Sequence, residues 1–191
     1  MYVETERNPK WMNWIAPDRF NDKDLFRIVI FFVFHSPCKD VSSMRKTLEE
    51  YGWTAPWKKP YLLNKQLKQE ASTYELLYSA KGYEEMDLAL GKASLLNESF
   101  PSDFSRERVC IVDNQKNQFL SVFYHIRNAF AHCRLNMVDV DGECVFIFED
   151  VQPKKNVDKL KVSARMILQK STLLRWIDII ENGECEYIKK C

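Results

Sequence analysis

From Gln118 to Leu135 the chain reads "QFLSVFYHIRNAFAHCRL", with neither an acidic residue nor a lysine. The pattern predicts a long helix over about 114–135. At about 100° per residue, Phe119, Phe123, Ile126 and Phe130 fall within roughly 60° of one another and form its core face. His125, Asn128 and His132, at i, i+3 and i+7, gather on the opposite side. A solvated helix face is usually built from Lys and Glu. The polar side here is flanked instead by Leu120, Val122, Ala129, Ala131 and Cys133, so it too should be covered, most simply by another helix or a second subunit. A helix enclosed on two sides, with its polar groups in a cleft, is the strongest constraint on the fold.

The remaining segments fit around such a helix. The first twenty residues hold two prolines and no clean period, and are expected to form an irregular arm spanning about 1–23. "NDKDLFRIVIFFVFHS" opens with capping Asn and Asp residues and reads as a buried helix, with a strand as the alternative, closed by Pro37. "DVSSMRKTLEEYG" offers Ser42 or Ser43 as the cap of a short helix ending at Gly52. "WTAPWKKPY" at 53–61 is a loop. Two helices are expected over 62–98, separated by Gly82. "NMVDVDGECVFIFED" alternates polar and apolar residues around Asp141-Gly142, the signature of a two-residue β-hairpin turn, and predicts a hairpin over about 136–149. "PKKN" at 153–156 is a loop, and 157–183 returns to a helical pattern that stops at Gly183. The expected fold is mainly α: a helical bundle over 24–183 with one β-hairpin inserted before its C-terminal helix, followed by a short tail over 184–191.

Composition excludes several classes. With 46% hydrophobic residues and 12 Phe, disorder is a poor description. A formal net charge of +1 leaves any nucleic-acid surface to a local basic patch. The longest apolar stretch, "LFRIVIFFVF" at 25–34, is about half a bilayer crossing and contains Arg27, so no membrane partner is expected. Six scattered cysteines without a C-x-x-C pair, and no signal peptide, point to free thiols in a reducing cytoplasm. The three histidines, His35, His125 and His132, have no carboxylate neighbours at metal-ligand spacing, and no glycine-rich phosphate loop is present. No metal and no cofactor are therefore expected.

The chemistry concentrates in "RNAFAH" at 127–132. An imidazole with an ordinary pKa can take the proton from a ribose 2′-hydroxyl or give one to a leaving 5′-oxygen. A guanidinium offers paired donors to the phosphate oxygens on which negative charge grows. Arg127 lies roughly 140° from His132 around the helix, so the two meet only if the arginine swings around or the histidine belongs to a partner subunit. Asn128 suits either orienting the imidazole or binding a phosphate oxygen. His125 either grips phosphate or donates a proton, or is a neutral structural histidine satisfied by a carbonyl across the interface. Arg134 is the cation expected on RNA; Arg106 and Arg108 could extend a phosphate-binding path and Lys154 and Lys155 could touch the RNA backbone, although most such charges are simply solvated. His35 suits a helix end.

"RNAFAH", inside a long helix of a mainly helical chain, resembles the R-x(4–6)-H motif of the HEPN superfamily, the higher eukaryotes and prokaryotes nucleotide-binding domain. The resemblance extends over about residues 24–181 and is similar to single-domain bacterial members. It implies a metal-independent endoribonuclease acting as a homodimer through the 114–135 helix, with Arg127 and His132 as the catalytic pair and Asn128 as the polar residue after the arginine. It also implies an RNA substrate, a role as toxin or defence effector, and an antitoxin or regulatory protein as partner. Many relatives have glycine after the histidine, where this chain has Cys133. Some HEPN domains are non-catalytic dimerisation or interaction modules, which is the alternative reading.

Overall fold

The computed structural model describes residues 2–12, 21–38, 44, 46–53, 60–70, 77–97, 104–115, 117–152, 154–155 and 157–188. Ser42 and Ser43, the expected helix caps, lie outside the described residues, as do 54–59 of the proline loop and 189–191 of the tail.

The expectation of a mainly α helical bundle with one inserted hairpin is overturned by a six-stranded mixed sheet. Its strands are β1 (Glu4–Glu6), β2 (Leu77–Ala80), β3 (Arg108–Val112), β4 (Leu135–Val140), β5 (Glu143–Val151) and β6 (Lys159–Gln169). The order is β2-β3-β6-β5-β4, with β1 also pairing β6. The hairpin itself forms on Asp141-Gly142, whose φ values of 51° and 84° suit a tight primed turn. Its strands, however, are one side of a larger sheet. β5 pairs β6, which pairs β3 through Ile111↔Ala164 to Arg108↔Ile167 and β1 through Glu4↔Lys161 to Glu6↔Lys159. β2 runs parallel to β3.

Burial explains the missed strands. "KLKVSARMILQ" alternates, but β6 is central and covered on both faces, so Ser163 and Arg165 are buried along with Ala164, Met166 and Leu168. Two-sided burial blurs period 2 and lets a helical pattern run through the same letters. β3, "RVCIV", is buried at every position. β2 occupies the last residues of a stretch that reads as a continuation of the preceding helix.

The helices among the described residues are α1 (Lys23–Ile30), α2 (Pro60–Glu70), α3 (Met86–Lys92), α4 (Gln118–Ala131) and α5 (Lys170–Ile188); α3, α4 and α5 pack on the sheet, while α1 packs on α5 and α2 on α4 and α5. Asp22 caps α1, accepting from the backbone N–H groups of Asp24 and Leu25. The helix continues into a π-helical turn over Phe31–His35, closed by Ser36 N–H donating to Phe31 O. α3 lies against β2, β3 and β6, while α4 and α5 lie against the other side of the sheet. There Phe123 meets Phe31, Phe32 and Trp176, with ring centroids 5.4–6.2 Å apart. Arg27 ties α1 to α5 through Asp178 and Glu181 at 2.6 and 2.7 Å. Gly183 breaks α5 at φ 69°, ψ −176°, where a Cβ would lie 2.4 Å from Tyr51 O.

On the far side of the sheet Glu149 is fully buried between two arginines. It accepts from Arg165 Nε at 2.8 Å and from Arg134 Nη2. Arg165 also donates to the carbonyls of Leu95 and Leu96, both at 2.8 Å. Arg134 donates to the carbonyls of Arg7 at 2.7 Å and Glu6 at 3.2 Å, which fastens the N-terminal strand to the end of α4.

Candidate functional site

α4 begins and ends on defined caps. Asn117 accepts from Phe119 N–H at 2.8 Å and from Leu120 N–H at 3.3 Å. At the other end Cys133 takes φ 52°, the left-handed conformation usually filled by glycine. Arg134 N–H then donates to Ala129 O and Cys133 N–H to Phe130 O, the paired bonds of a Schellman motif. His132 is the C-cap residue of this motif, so its backbone is fixed while its side chain is exposed.

The core stripe of α4 is covered by the same chain, and the polar stripe is covered in part, with His125 buried and His132 exposed. The core stripe meets the π turn and Trp176 through Phe123. The polar stripe meets β5 and the end of β3. His125 is 1% exposed, with Nδ1 2.7 Å from Asp150 Oδ2 and Nε2 2.9 Å from Val112 O. A carbonyl only accepts, so the Nε2 contact is an N–H donation to Val112 O, while Nδ1 is hydrogen-bonded with the Asp150 carboxylate. Asp150 Oδ2 also accepts from Asn128 Nδ2 at 3.2 Å, and Oδ1 accepts from Val151 N–H at 2.9 Å. The Asn128 amide is thereby oriented with its oxygen toward Arg127, whose Nη1 donates to it at 3.1 Å. A bonded chain thus runs from Val112 through His125, Asp150 and Asn128 to Arg127. Burial, then the negative charge of Asp150, raise the Tyr83 phenol above its ordinary value.

The expected site residues therefore fall in three environments. His125 is consumed by the fold, held by a carbonyl and a carboxylate within one protomer rather than across an interface. Arg127 and Asn128 are half-buried, and Arg127 Nε has no hydrogen-bond partner among the described residues. His132 lies apart from Arg127, in a cleft of about 550 Å3 that Arg127 does not line. Its imidazole makes no hydrogen bond or ion pair among the described residues. Arg134 also reaches this cleft but is 4% exposed, with its guanidinium on Glu149 and two carbonyls. The cations that stand open to solvent beside His132 are Arg7, Lys154 and Lys155. Of the remaining arginines, Arg106 is exposed and Arg108 is buried, reaching Ala93 O.

Asp150 is the member of the chain that sequence reasoning missed. It sits in a strand whose alternation assigns it only a face, and nothing local marks it as the partner of a helix 22 residues earlier. Among the described residues no group of three or more His, Cys, Asp or Glu side chains is placed to hold a metal ion. No helix among them is long and apolar enough to cross a membrane. The free thiols include buried Cys38 and Cys110 and exposed Cys133, and burial pushes Cys110 up to about 12.

Comparison with curated proteins and with solved structures found no match. A family model does match: the one described as HEPN pEK499 p136 covers residues 56–187, roughly two thirds of the chain, including all of α4 and the sheet from β2 to β6. On that match the chain belongs to this family, and its larger part is a HEPN-superfamily domain.

Proposed function

We propose that the protein is an endoribonuclease that cleaves RNA phosphodiester bonds without a metal cofactor, with His132 carrying protons and Arg127 binding the scissile phosphate. The observation that carries this is the His132 imidazole: exposed, unpartnered among the described residues, fixed at a capped helix end and bordered by a cationic cleft in a HEPN chain. In the reaction His132 takes the 2′-hydroxyl proton as the 2′-oxygen attacks phosphorus. The bond to the 5′-oxygen breaks, and that oxygen receives a proton from a protonated imidazole. The products are a 2′,3′-cyclic phosphate and a 5′-hydroxyl. The Arg127 guanidinium, aimed by Asn128, meets the charge growing on the non-bridging oxygens.

Arg127 does not line the cleft that holds His132, so the reading places Arg127 of one copy beside His132 of another. α4 leaves Tyr124, Arg127, Asn128 and Ala131 incompletely covered, which supports a homodimer on that strip. A toxin or defence role, with an antitoxin or regulatory partner, belongs to the same proposal. A non-catalytic interaction module would enclose Arg127 and His132 in satisfied hydrogen bonds; the exposure of His132 and the unpartnered Arg127 Nε favour catalysis.

The test is incubation of labelled mixed-sequence RNA with the wild type and with His132→Ala, with and without EDTA. Cleavage that survives EDTA and falls by about 100-fold or more in the variant is the expected result. Equal cleavage by the variant, or cleavage abolished by EDTA, would overturn the proposal.

A further inference from the structure

The cleft beside His132 combines a cationic rim with an apolar floor. Arg7, Lys154 and Lys155 stand around it, Met12 and Leu160 supply apolar surface, and no carboxylate lines it. Its walls are tied together rather than loosely apposed. Arg7 N–H donates to Asp158 O at 3.1 Å, and its guanidinium donates to the carbonyls of Lys154 at 3.0 Å and Val157 at 3.2 Å. Asn136 Nδ2 donates to Trp11 O at 2.9 Å, which holds the N-terminal segment against β4. The arginine is thus committed to the backbone of the opposite wall, while the Lys154 and Lys155 side chains make no ion pair among the described residues.

Four consequences follow for a ligand. The rim selects an anion, because only cations and neutral groups face it. The floor adds an apolar surface on which a flat ring can rest. About 550 Å3 is within the range of sites for single small molecules, and suits one nucleotide rather than a duplex. The base must also be free of its stack to enter, which a single strand allows at small energetic cost.

Resting on the ribonuclease reading, we propose that this cleft seats one unstacked nucleotide of the RNA strand next to the scissile phosphate. Its base lies on Met12 and Leu160, its phosphate on Lys154 and Lys155, and the strand leads from there to His132. The N-terminal segment is on this account a wall of the substrate site.

The test is fluorescence-anisotropy titration of the full chain with a single-stranded 2′-O-methyl oligonucleotide, which lacks the attacking hydroxyl and cannot be cut. Lys154→Glu/Lys155→Glu should weaken binding by about tenfold or more and lower the slope of log K against log salt by about 1.4, two single-strand phosphate contacts. Met12→Ala should weaken it a few-fold. A charge-matched control on exposed lysines elsewhere, Lys81→Glu/Lys92→Glu, should bind within about twofold of wild type. An unchanged affinity and slope in the first double variant would overturn the proposal. So would failure of the wild type to bind, equal affinity for a duplex of the same sequence, or displacement by uridine or adenosine monophosphate at the oligonucleotide's own concentration. Cleavage is not needed for the readout: binding through the cleft without cleavage of unmodified RNA would reject the ribonuclease alone, and cleavage with unaltered binding in the variant would reject the cleft alone.

Discussion

Replacing Glu149 by Gln tests whether the far side of the sheet depends on one carboxylate. Glu149 is 0% exposed and faces Arg165 at 0% and Arg134 at 4%. It divides its two oxygens between them, with Oε2 on Arg165 and Oε1 on Arg134. Glutamine keeps one acceptor of similar shape, so one guanidinium retains a neutral hydrogen bond while the other faces an amide donor. One charge-assisted bond of about 1.5–3 kcal/mol is lost, the second is weakened, and two cations remain buried without a counter-charge. Breaking a buried pair in this way costs about 3–5 kcal/mol. For a chain of this size, each kcal/mol shifts the melting temperature by about 2–4 °C, so a loss of about 4 kcal/mol predicts a drop of roughly 8–16 °C. Urea denaturation monitored by circular dichroism and by tryptophan fluorescence measures it, since coincident transitions also establish two-state behaviour. Arg165→Met added to the variant should cost less than in the wild type, because it removes one of the two stranded charges. A Glu149→Gln variant within about 1 kcal/mol of wild type would refute the reasoning and show that the arginine–carbonyl bonds alone hold the triad.

Other substitutions probe separate features. Cys133→Gly should stabilise the chain by about 0.5–1 kcal/mol: the left-handed conformation costs a side chain about 1–2 kcal/mol, and glycine returns part of that through its greater freedom when unfolded; equal or lower urea resistance would contradict it. Gly183→Ala should destabilise by about 2 kcal/mol or more, because the added Cβ meets Tyr51 O at 2.4 Å in a backbone conformation that suits glycine, a loss that thermal melting would register. For Asp22, burial works to raise the carboxyl, but the hydrogen bonds from Lys170 and from the N–H groups of Asp24 and Leu25 outweigh it and hold it below its ordinary value. A lowered carboxyl stabilises the fold above the unfolded value of about 3.9, and that stability is lost as pH falls through the lower folded value. Asp22→Asn, which keeps a cap but not the charge, should therefore be less stable than wild type at neutral pH, with the gap closing at the acid end of a series of denaturation curves. Finally, Arg127→Lys keeps a point charge but loses the planar fork, so RNA cleavage should fall by about tenfold or more while melting stays near wild type; full activity would remove Arg127 from the phosphate.

How much of this was legible in the sequence depends on where each residue's partner lies. Local signals were readable: the Asp141-Gly142 turn needs only its own backbone preferences, and the core stripe of α4 needs only a 3.6-residue period. The partial cover of the polar side of α4 was also readable, from the absence of Lys and acid. What covers it was not, because the polar stripe is satisfied by Asp150 and Val112 O from strands distant in sequence. The sheet was hidden for the same reason. Arg165 looks like a solvent-facing residue until Glu149 is placed beside it, so nothing local marked β6 as a central strand buried on both faces. An arginine near the motif reads as a phosphate ligand, yet the Arg134 guanidinium closes a buried triad, while exposed Lys154 borders the cleft with His132.

The motif helix therefore does two jobs with adjacent residues, and their environments separate them. His125 and Asn128 bond to Asp150 and hold α4 to β5, so substitutions there disturb packing and chemistry together. Cys133 and Arg134 belong to the helix stop, which sets where the His132 backbone points. Arg127 Nε and Arg134 Nε have no hydrogen-bond partner among the described residues, and the His132 imidazole is exposed. Arg127 is half-buried with an unpaired Nε, and the Asp150–Asn128 bonds orient the acceptor that holds its Nη1. That arrangement restricts the guanidinium before any phosphate arrives. In the proposed reaction such pre-orientation would serve transition-state binding, with a buried aspartate on a strand set behind an arginine on a helix.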